Sequence, residues 1–268
     1  YYMGRSVVDR LKVDIIDPAK SSGYKRIWLV GVSLGSIGSL LYLDSHPDDI
    51  DGVCLIAPYL GNSRILDPVE AAPLTDAGLT PYHAVKRSAD LLVAGSTALV
   101  IGVGGLGHLG VQILEAVTPA TVIAVDTRTS ALDLAATAGA EHTVQAGDDA
   151  AAEIADLTGG KNADVVLDFV GSDSTIQLAV AAGRSLGHIT VVGIAGGSYP
   201  FSFFTVPYEA SLATTYWGSI PELMEVLNLA ERGLIRAEVE RISIDEAPDG
   251  YRRLARGEVD GRLVVVPG

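Results

Sequence analysis

The sequence predicts an α/β fold with a doubly wound, mostly parallel sheet. From Ser96 onward, short apolar segments alternate with segments of helical periodicity, as crossover connections in a parallel sheet require. The first apolar segment leads into a Gly-x-Gly-x-x-Gly turn, and a carboxylate ends the second. Of the 268 residues, 48% are hydrophobic and 19% are charged, which is typical of a globular protein.

The charge balance and the cysteine count exclude several classes of function. The formal net charge is −14, from 19 basic and 33 acidic residues, which disfavours nucleic acids and anionic membranes as partners. No apolar run is long enough to span a membrane. Cys54 is the only cysteine, so the sequence excludes an internal disulfide and a multi-cysteine zinc site. We therefore expect a cytoplasmic protein without nucleic-acid or membrane partners.

The first predicted elements form a βαβ unit. Residues 26–30 and 52–57 are expected to be buried parallel strands, with a helix from about Ser36 to Ser45 between them. The turn after the first strand reads Gly-Val-Ser-Leu-Gly over residues 31–35. Gly-x-Ser-x-Gly between a strand and a helix is the nucleophile-elbow pattern, which raises the serine hydroxyl above the sheet. Ser33 is therefore a candidate nucleophile.

Residues 58–82 are richer in Pro, Gly, Asp and Asn, and we interpret them as a connection, with a helix following over about 81–94. Strands are then predicted at 98–102, 121–126, 164–168, 188–193 and 261–266, and helices at 105–117, 129–138, 150–157, 173–182, 221–230 and 245–256. We divide the chain into three parts, which are the segment with the βαβ unit (1–62), a connection with its leading helix (63–96), and the segment with the glycine turn and a C-terminal tail (97–268).

The glycine turn carries the strongest functional signal. Gly102 allows the tight turn, Gly104 allows the backbone to approach a pyrophosphate, and Gly107 allows close packing of the helix on the sheet. The amino terminus of that helix offers free N–H groups to phosphates. Asp126 stands 19 residues after Gly107, where a carboxylate accepts hydrogen bonds from the adenosine ribose. The pattern predicts dinucleotide binding, so we interpret residues 97–268 as a dinucleotide-binding domain with a C-terminal tail.

From about residue 67 to 268 the chain resembles the nucleotide-binding and C-terminal part of the zinc-dependent medium-chain alcohol dehydrogenases. The resemblance rests on six stretches in the family's order, which are Ala72–Tyr82, Val100–His108, Asp168–Gly171, Val191–Gly193, Tyr216–Gly218 and Gly261–Pro267. It implies hydride transfer between a small alcohol or carbonyl compound and nicotinamide. By the same analogy, a homodimer is possible.

The resemblance also implies roles for single residues. These are Gly102, Gly104, Gly105, Leu106 and Gly107 at the pyrophosphate, Asp126 at the ribose, Phe169 and Val170 at the adenosine, Val192, Gly193 and Ile194 near the nicotinamide, and Trp217 at the substrate pocket. Arg262 either reaches the pyrophosphate or is a surface arginine. Asp126 favours NAD over NADP because a carboxylate repels a 2′-phosphate, whereas Arg128 would attract one.

Asp76 occupies the place where the family supplies its third protein ligand to the catalytic zinc. It is either such a ligand or a turn carboxylate. In the family, the other two ligands come from an N-terminal domain that we do not find in this sequence. A catalytic zinc needs three protein ligands, so we expect no tightly bound zinc and impaired or no turnover.

Residues 1 to about 62 resemble the nucleophile-elbow region of an α/β-hydrolase, through Gly23–Gly35 and Asp51–Gly61. The resemblance implies that Ser33 is the nucleophile. The acid and the histidine that normally follow are replaced here by dehydrogenase-like sequence. An NAD-binding, alcohol dehydrogenase-like chain is therefore our first hypothesis. The alternatives are a serine hydrolase using Ser33, and a non-catalytic NAD-binding protein or composite chain.

Overall fold

The computed structural model describes residues 6–32, 39, 42–56 and 67–266. The chain divides into two compact units, Tyr1–Leu60 and Gly61–Gly268, which we call the N-terminal and C-terminal units. None of the described helices is long and apolar enough to cross a membrane.

The N-terminal unit contains helices before its first strand that the sequence did not predict. These are α1 (Ser6–Arg10), a π-helical stretch (Leu11–Ile16) and α2 (Asp17–Ser21). Strands β1 (Trp28–Val32) and β2 (Gly52–Ile56) pair in parallel as a two-stranded sheet of their own. Helix α3 between them is described over residues 42–45. Ser33 and most of the elbow motif lie outside the described residues, so the hydrolase interpretation stays a prediction.

A partly exposed carboxylate, Asp49, connects the core of the N-terminal unit to its first helices. Asp49 accepts hydrogen bonds from Lys12 and Lys20, both at 2.7 Å, and from the hydroxyl of Tyr42 at 3.0 Å. Tyr42 is fully buried and packs with Val8 and Ile16. The two lysines hold the pKa of Asp49 well below its usual value, and burial together with Asp49 raises the pKa of Tyr42 to about 12. These contacts therefore stabilise the packing of the N-terminal unit.

The C-terminal unit has a six-stranded parallel sheet in the order β5-β4-β3-β6-β7-β8. Its strands are β3 (Thr97–Ile101), β4 (Thr121–Asp126), β5 (His142–Gln145), β6 (Ala163–Asp168), β7 (Gly183–Val191) and β8 (Ser211–Thr214). On one side of the sheet the strands follow chain order outward from β3 through β4 to β5. On the other side they follow chain order from β6 through β7 to β8. The strand order therefore reverses between β3 and β6, which is where doubly wound sheets bind ligands. The predicted α/β parallel fold is confirmed.

The helices of this unit are α4 (Pro68–Ala71), α5 (Leu79–Arg87), α6 (Gly107–Val117), α7 (Thr129–Thr137), α8 (Ala150–Leu157), α9 (Asp173–Ala182), α10 (Ile220–Glu231) and α11 (Ala247–Ala255). Short 3-10 turns follow α4 and α5, at Ala72–Thr75 and Ala89–Leu91, and another precedes α11 at Ile244–Glu246. Helix α10 begins at a capping box in which Ser219 and Glu222 satisfy each other's backbone amides. Apolar residues of the strands and of α8 and α9 form the core, including Leu99, Ile123, Val125, Val144, Ile154, Val166 and Ile189.

Some predicted boundaries and elements were wrong. Helix α5 runs over Leu79–Arg87 and not over 81–94. It begins before Pro81 because proline fits the first turn of a helix, where its missing amide is not needed. It ends at Arg87, and a 3-10 turn follows. Strand β7 runs over 183–191, not 188–193. The edge strands β5 and β8 were missed because they are short and only partly buried, so neither has a continuous apolar run.

After α10, residues 232–266 form what we call the tail. It contains β9 (Val239–Ile242), α11 and β10 (Arg262–Val265), and its two strands pair in parallel in a separate two-stranded sheet. The final predicted strand, 261–266, is confirmed within one residue at each end. The parallel pairing positions Arg262 opposite Val239, at the start of both strands.

Candidate cofactor site

A cleft of about 650 Å³ lies at the switch point of the sheet. One wall is the glycine turn, residues 102–107, with the carboxyl ends of β4 and β6, and the other wall is the tail. An adjoining cavity of about 610 Å³ shares Gly102, Asp126 and Val170 and extends to the ends of β5 and α9. Of the residues that we predicted at the cofactor, the cleft brings together Gly102, Gly104, Gly105, Leu106, Gly107, Asp126, Phe169, Val170 and Arg262.

The three glycines of the motif have different geometric roles. Gly102 has φ +86°, a conformation that side chains rarely adopt, and a Cβ there would lie 2.5 Å from Val170. A Cβ on Gly107 would overlap the carbonyl oxygen of Gly102, so α6 begins directly against the end of β3. A Cβ on Gly104 would meet no atom within 4 Å. Gly104 therefore borders free space at the cleft, and the other two glycines are required by the fold.

Asp126 ties the end of β4 to the glycine turn. Its Oδ2 accepts a hydrogen bond from the amide of Val103 at 2.7 Å, and its Oδ1 accepts one from the amide of Arg128 at 2.9 Å. Only 9% of the side chain is exposed, but the residue lines both cavities. Each carboxylate oxygen has a second lone pair, so the group can still accept hydrogen bonds from a ligand.

The guanidinium of Arg128 is directed at the tail. Nη1 donates to Asp260 Oδ1 at 2.7 Å and lies 3.4 Å from the carbonyl oxygens of Gly257 and Val259. Nε lies 3.6 Å from Asp126 Oδ1. The positive charge of Arg128 is thus paired with carboxylates on two sides, which weakens its capacity to attract another anion.

The end of β6 contains a buried carboxylate that our sequence reasoning did not assign to the site. Asp168 is fully buried, and its Oδ1 accepts the amides of Val170 at 2.9 Å and Gly171 at 3.0 Å. Its Oδ2 is buried without a hydrogen-bond partner among the residues that the structure describes. The ring of Phe169 packs close to Gly107 and Gly110 on α6. Asp168 therefore shapes the turn that presents Phe169 and Val170 to the cleft.

The residues predicted near the nicotinamide adjoin this turn. The amides of Val192 and Gly193 donate to the carbonyl of Asp168 at 2.8 and 3.0 Å, and a Cβ on Gly193 would overlap the backbone of Val170. Ile194 is 96% exposed. Trp217 stacks on Tyr216 with ring centroids 5.0 Å apart, and neither lines the two cavities. The structure thus brings Val192 and Gly193 next to Val170 and leaves Trp217 outside the cleft.

Arg262 and Asp76 form an ion pair at the glycine turn. Arg262 Nη2 donates to Asp76 Oδ2 at 2.9 Å, and a Cβ on Gly105 would lie 2.9 Å from Arg262 Cδ. No group of three His, Cys, Asp or Glu side chains that could hold a metal occurs in the described ranges. One carboxylate that already pairs with an arginine does not make a zinc site. The described residues therefore do not fit the zinc that the sequence resemblance implies.

His108, the last residue of the Gly-Leu-Gly-His stretch, is fully buried between the glycine turn and the tail. Its Nδ1 lies 2.8 Å from the carbonyl oxygen of Gly104, and its Nε2 accepts the amide of Glu238 at 3.1 Å. Burial lowers the pKa of His108, and the nearby charge of Arg262 lowers it further. The sequence analysis gave His108 no role at the site, because its partner on the tail is 130 residues away.

Comparison with known proteins agrees with this geometry. Residues 105–232 match the family model described as zinc-binding dehydrogenase. The NAD-dependent alcohol dehydrogenase of Sulfurisphaera tokodaii is 34% identical over 213 residues, which are 78% of this chain and 61% of that relative. The D-arabinose 1-dehydrogenase (NADP(+)) of Saccharolobus solfataricus is 32% identical, over 75% of this chain and 59% of the relative.

A solved structure shows the same fold. The crystal structure of the alcohol dehydrogenase from the hyperthermophilic archaeon Aeropyrum pernix shares 42% sequence identity with this chain at a TM-score of 0.70. The match covers 74% of this chain and 58% of that chain. The chain thus spans about three fifths of the length of the relatives that it matches. In that part it resembles the C-terminal, NAD-binding portion of zinc-type medium-chain alcohol dehydrogenases.

Proposed function

We propose that the chain binds NAD at the cleft between the glycine turn and the tail, as the cofactor-binding part of an alcohol dehydrogenase-like oxidoreductase. The observation that carries this proposal is the open space at Gly104, beside the amino terminus of α6. That terminus presents unpaired N–H groups and the positive end of the helix dipole. A pyrophosphate is the part of a dinucleotide that such a cradle binds.

The orientation of the cofactor follows from the charges around the cleft. Asp126 would accept the hydroxyl groups of the adenosine ribose, and the adjoining cavity would receive the adenine, near Val170. Arg262 would face the pyrophosphate from the tail side, held beside Gly105. The nicotinamide would then extend toward Val192 and Gly193, with Ile194 next to them. These residues bind and orient the cofactor, and bound NAD supplies the hydride-accepting ring.

We propose NAD in preference to NADP. A 2′-phosphate next to Asp126 would face a carboxylate whose oxygens already accept two backbone amides. Arg128 offers little compensation, because its guanidinium is engaged with Asp260 and tail carbonyls. One of the relatives is an NADP(+) enzyme by name, so the preference has to be tested on this chain.

We propose that turnover of a small alcohol or carbonyl substrate by this chain is weak or absent. Zinc in this family would polarise the alkoxide oxygen, but the described residues do not form a zinc site. In a calorimetric titration of the full chain, we expect saturable binding of NAD with one site per chain. NADH formation from short alcohols, followed by absorbance with and without added zinc, should stay near background. Lack of any NAD binding would overturn the proposed function, and rapid turnover would overturn the proposed lack of activity.

A further inference from the structure

Two side chains on one face of α6 hold the same segment of the tail. His108 Nε2 accepts the amide of Glu238 at 3.1 Å. One helical turn later, Gln112 accepts the amide of Arg236 at 2.7 Å through Oε1 and donates to the carbonyl of Arg236 at 3.0 Å through Nε2. These bonds satisfy the backbone groups of Arg236 and the amide of Glu238, just before β9.

The spacing of these contacts has a geometric reason. Residues four apart on a helix are separated by about 6 Å along its axis. Alternate residues of an extended chain are separated by about 6.7 Å. His108 and Gln112 therefore match Arg236 and Glu238 in spacing. The side chains on this face of α6 satisfy backbone groups of the tail, as the edge of a neighbouring strand would.

His108 also closes a path around the glycine turn. Its Nδ1 bonds the carbonyl of Gly104, and the carbonyl of Glu238 accepts the amide of Arg262 at 2.9 Å. The side chain of Arg262 then returns to the turn, because its Cδ packs over Gly105. The path runs from Gly104 through His108, Glu238 and Arg262 to Gly105. The two walls of the cleft are thus linked through one buried imidazole.

The hydrogen bonds define the protonation state of this imidazole. A carbonyl oxygen faces Nδ1, so Nδ1 must donate, and an amide N–H faces Nε2, so Nε2 must accept. Only the neutral Nδ1–H tautomer satisfies both. Charged groups around the ring are Arg262 and Glu238 on the tail. Three further charged residues, Glu70 on α4 and Arg236 and Arg241 on the tail, line the cavity of about 530 Å³ that His108 borders.

We infer that His108 is a positioning residue that couples the glycine turn to the tail, so that Gly104 and Arg262 are held together for one dinucleotide pyrophosphate. This inference rests on the proposed cofactor site. The imidazole directs the carbonyl of Gly104 into the helix, away from a bound anion. It also positions the tail segment that carries Arg262. Neither action requires His108 to touch the cofactor.

Two variants separate the two bonds of His108. His108→Asn keeps an amide donor near the position of Nδ1 and loses the acceptor for Glu238. His108→Gln places an amide oxygen near the position of Nε2 and loses the donor to Gly104. We expect each to weaken NAD binding about tenfold. His108→Asn leaves the amide of Glu238 without its acceptor, and His108→Gln leaves the carbonyl of Gly104 with only the backbone amide of residue 108. The matched control is Gln112→Leu, which removes the hydrogen bonds to the backbone of Arg236 and leaves the bond between His108 and the glycine turn in place. It should weaken NAD binding less than the His108 variants do.

A double-mutant cycle tests whether His108 acts through the tail. In an Arg262→Gln background, the effect of His108→Asn on NAD affinity should become clearly smaller, because the residue that it positions is gone. Fully additive effects would overturn the inference. So would a Gln112→Leu variant that binds NAD as weakly as the His108 variants.

A second measurement uses the parent chain without cofactor, so it does not depend on the folding of any variant. Nitrogen NMR of the histidine ring in the cofactor-free chain should show Nδ1 protonated and Nε2 unprotonated at neutral pH. The amide of Glu238 should be protected from hydrogen exchange. An Nε2–H tautomer or an unprotected Glu238 amide would refute the coupling. Failure of NAD binding with these signals intact would instead refute the proposed function.

Discussion

Arg262 donates a hydrogen bond to Asp76 at 2.9 Å, across 186 positions of sequence. The contact joins the start of β10 to the turn before α5, next to Gly105 of the glycine turn. The resemblance implied a zinc ligand at Asp76 and a pyrophosphate contact at Arg262, two separate roles. In the structure these two residues form one ion pair, so Asp76 orients the guanidinium of Arg262 at the cleft.

We expect Gly104→Val to abolish measurable NAD binding and to leave the fold largely intact. The valine side chain would occupy the open space beside α6 that the pyrophosphate needs, and no protein atom lies within 4 Å of its Cβ. Calorimetric titration and a thermal melt measure the two effects separately.

The matched control is Gly107→Ala. Its Cβ would overlap the carbonyl of Gly102, so this variant should lower the melting temperature. Unchanged NAD affinity in Gly104→Val would refute the proposed position of the pyrophosphate. A melting temperature unchanged in Gly107→Ala would contradict the close packing of α6 on β3.

The preference for NAD over NADP is expected to depend on Asp126. Titration of the parent chain with both cofactors should show NAD binding more tightly, by about tenfold or more, which corresponds to about 1.4 kcal/mol. Asp126→Asn should reduce this ratio because it removes the repulsive charge. Arg128→Gln should leave the ratio nearly unchanged, since the guanidinium is directed at Asp260. Equal or tighter NADP binding by the parent would show that Arg128 controls the site.

Zinc should not be bound tightly. After dialysis against a weak chelator, elemental analysis is expected to show far less than one zinc per chain, because one carboxylate does not form a site. Asp76→Asn should leave the zinc content unchanged and weaken NAD binding, since Arg262 loses its ion-pair partner. Stoichiometric zinc that survives dialysis, and that Asp76→Asn removes, would restore the ligand role of Asp76.

The stability of the chain should decrease in mildly acidic solution through His108. Burial lowers the pKa of His108 in the folded state, so the unfolded chain binds more protons in this range. The stabilisation is therefore present above the ordinary histidine pKa and is lost as the pH falls through the lower, folded value. Urea unfolding at a series of pH values between 5 and 8 measures this dependence.

The comparison that isolates His108 is His108→Asn. Burial, with a smaller effect from Arg87, also lowers the pKa of His188, which contributes a dependence of the same sign. The variant should therefore retain a shallower dependence on pH than the parent. Identical pH dependence in the two chains would show that His108 does not titrate between the folded and unfolded states.

Ser33→Ala is expected to leave the hydrolysis of a short nitrophenyl ester at background, as in the parent chain. A serine hydroxyl needs a base within hydrogen-bond reach and an orienting acid, and the segment that we predicted to be hydrolase-like ends near residue 62, before either would follow. A large loss of activity in the variant, with covalent labelling of Ser33 by a fluorophosphonate in the parent, would make the hydrolase hypothesis the leading one.

Local sequence pattern was sufficient for the parallel sheet and the glycine turn. The strands β3, β4 and β6 are buried on both faces, so each appears as an apolar run, and the motif from Gly102 to Gly107 with Asp126 follows from the steric needs of one βαβ unit. The edge strands β5 and β8 were missed for the opposite reason, since partial burial leaves them a mixed composition.

Contacts between segments far apart in sequence were decided only by the tertiary structure. His108 meets Glu238, Arg128 meets Asp260, and Arg262 meets Asp76, at separations of 130, 132 and 186 residues. The hydrophobic periodicity of the sequence does not indicate such pairs, because each pair depends on how the tail packs against the end of the sheet. Sequence motifs therefore identified the wall of the cleft that the glycine turn forms, and packing of the tail determined the opposite wall and the partners of its charged groups.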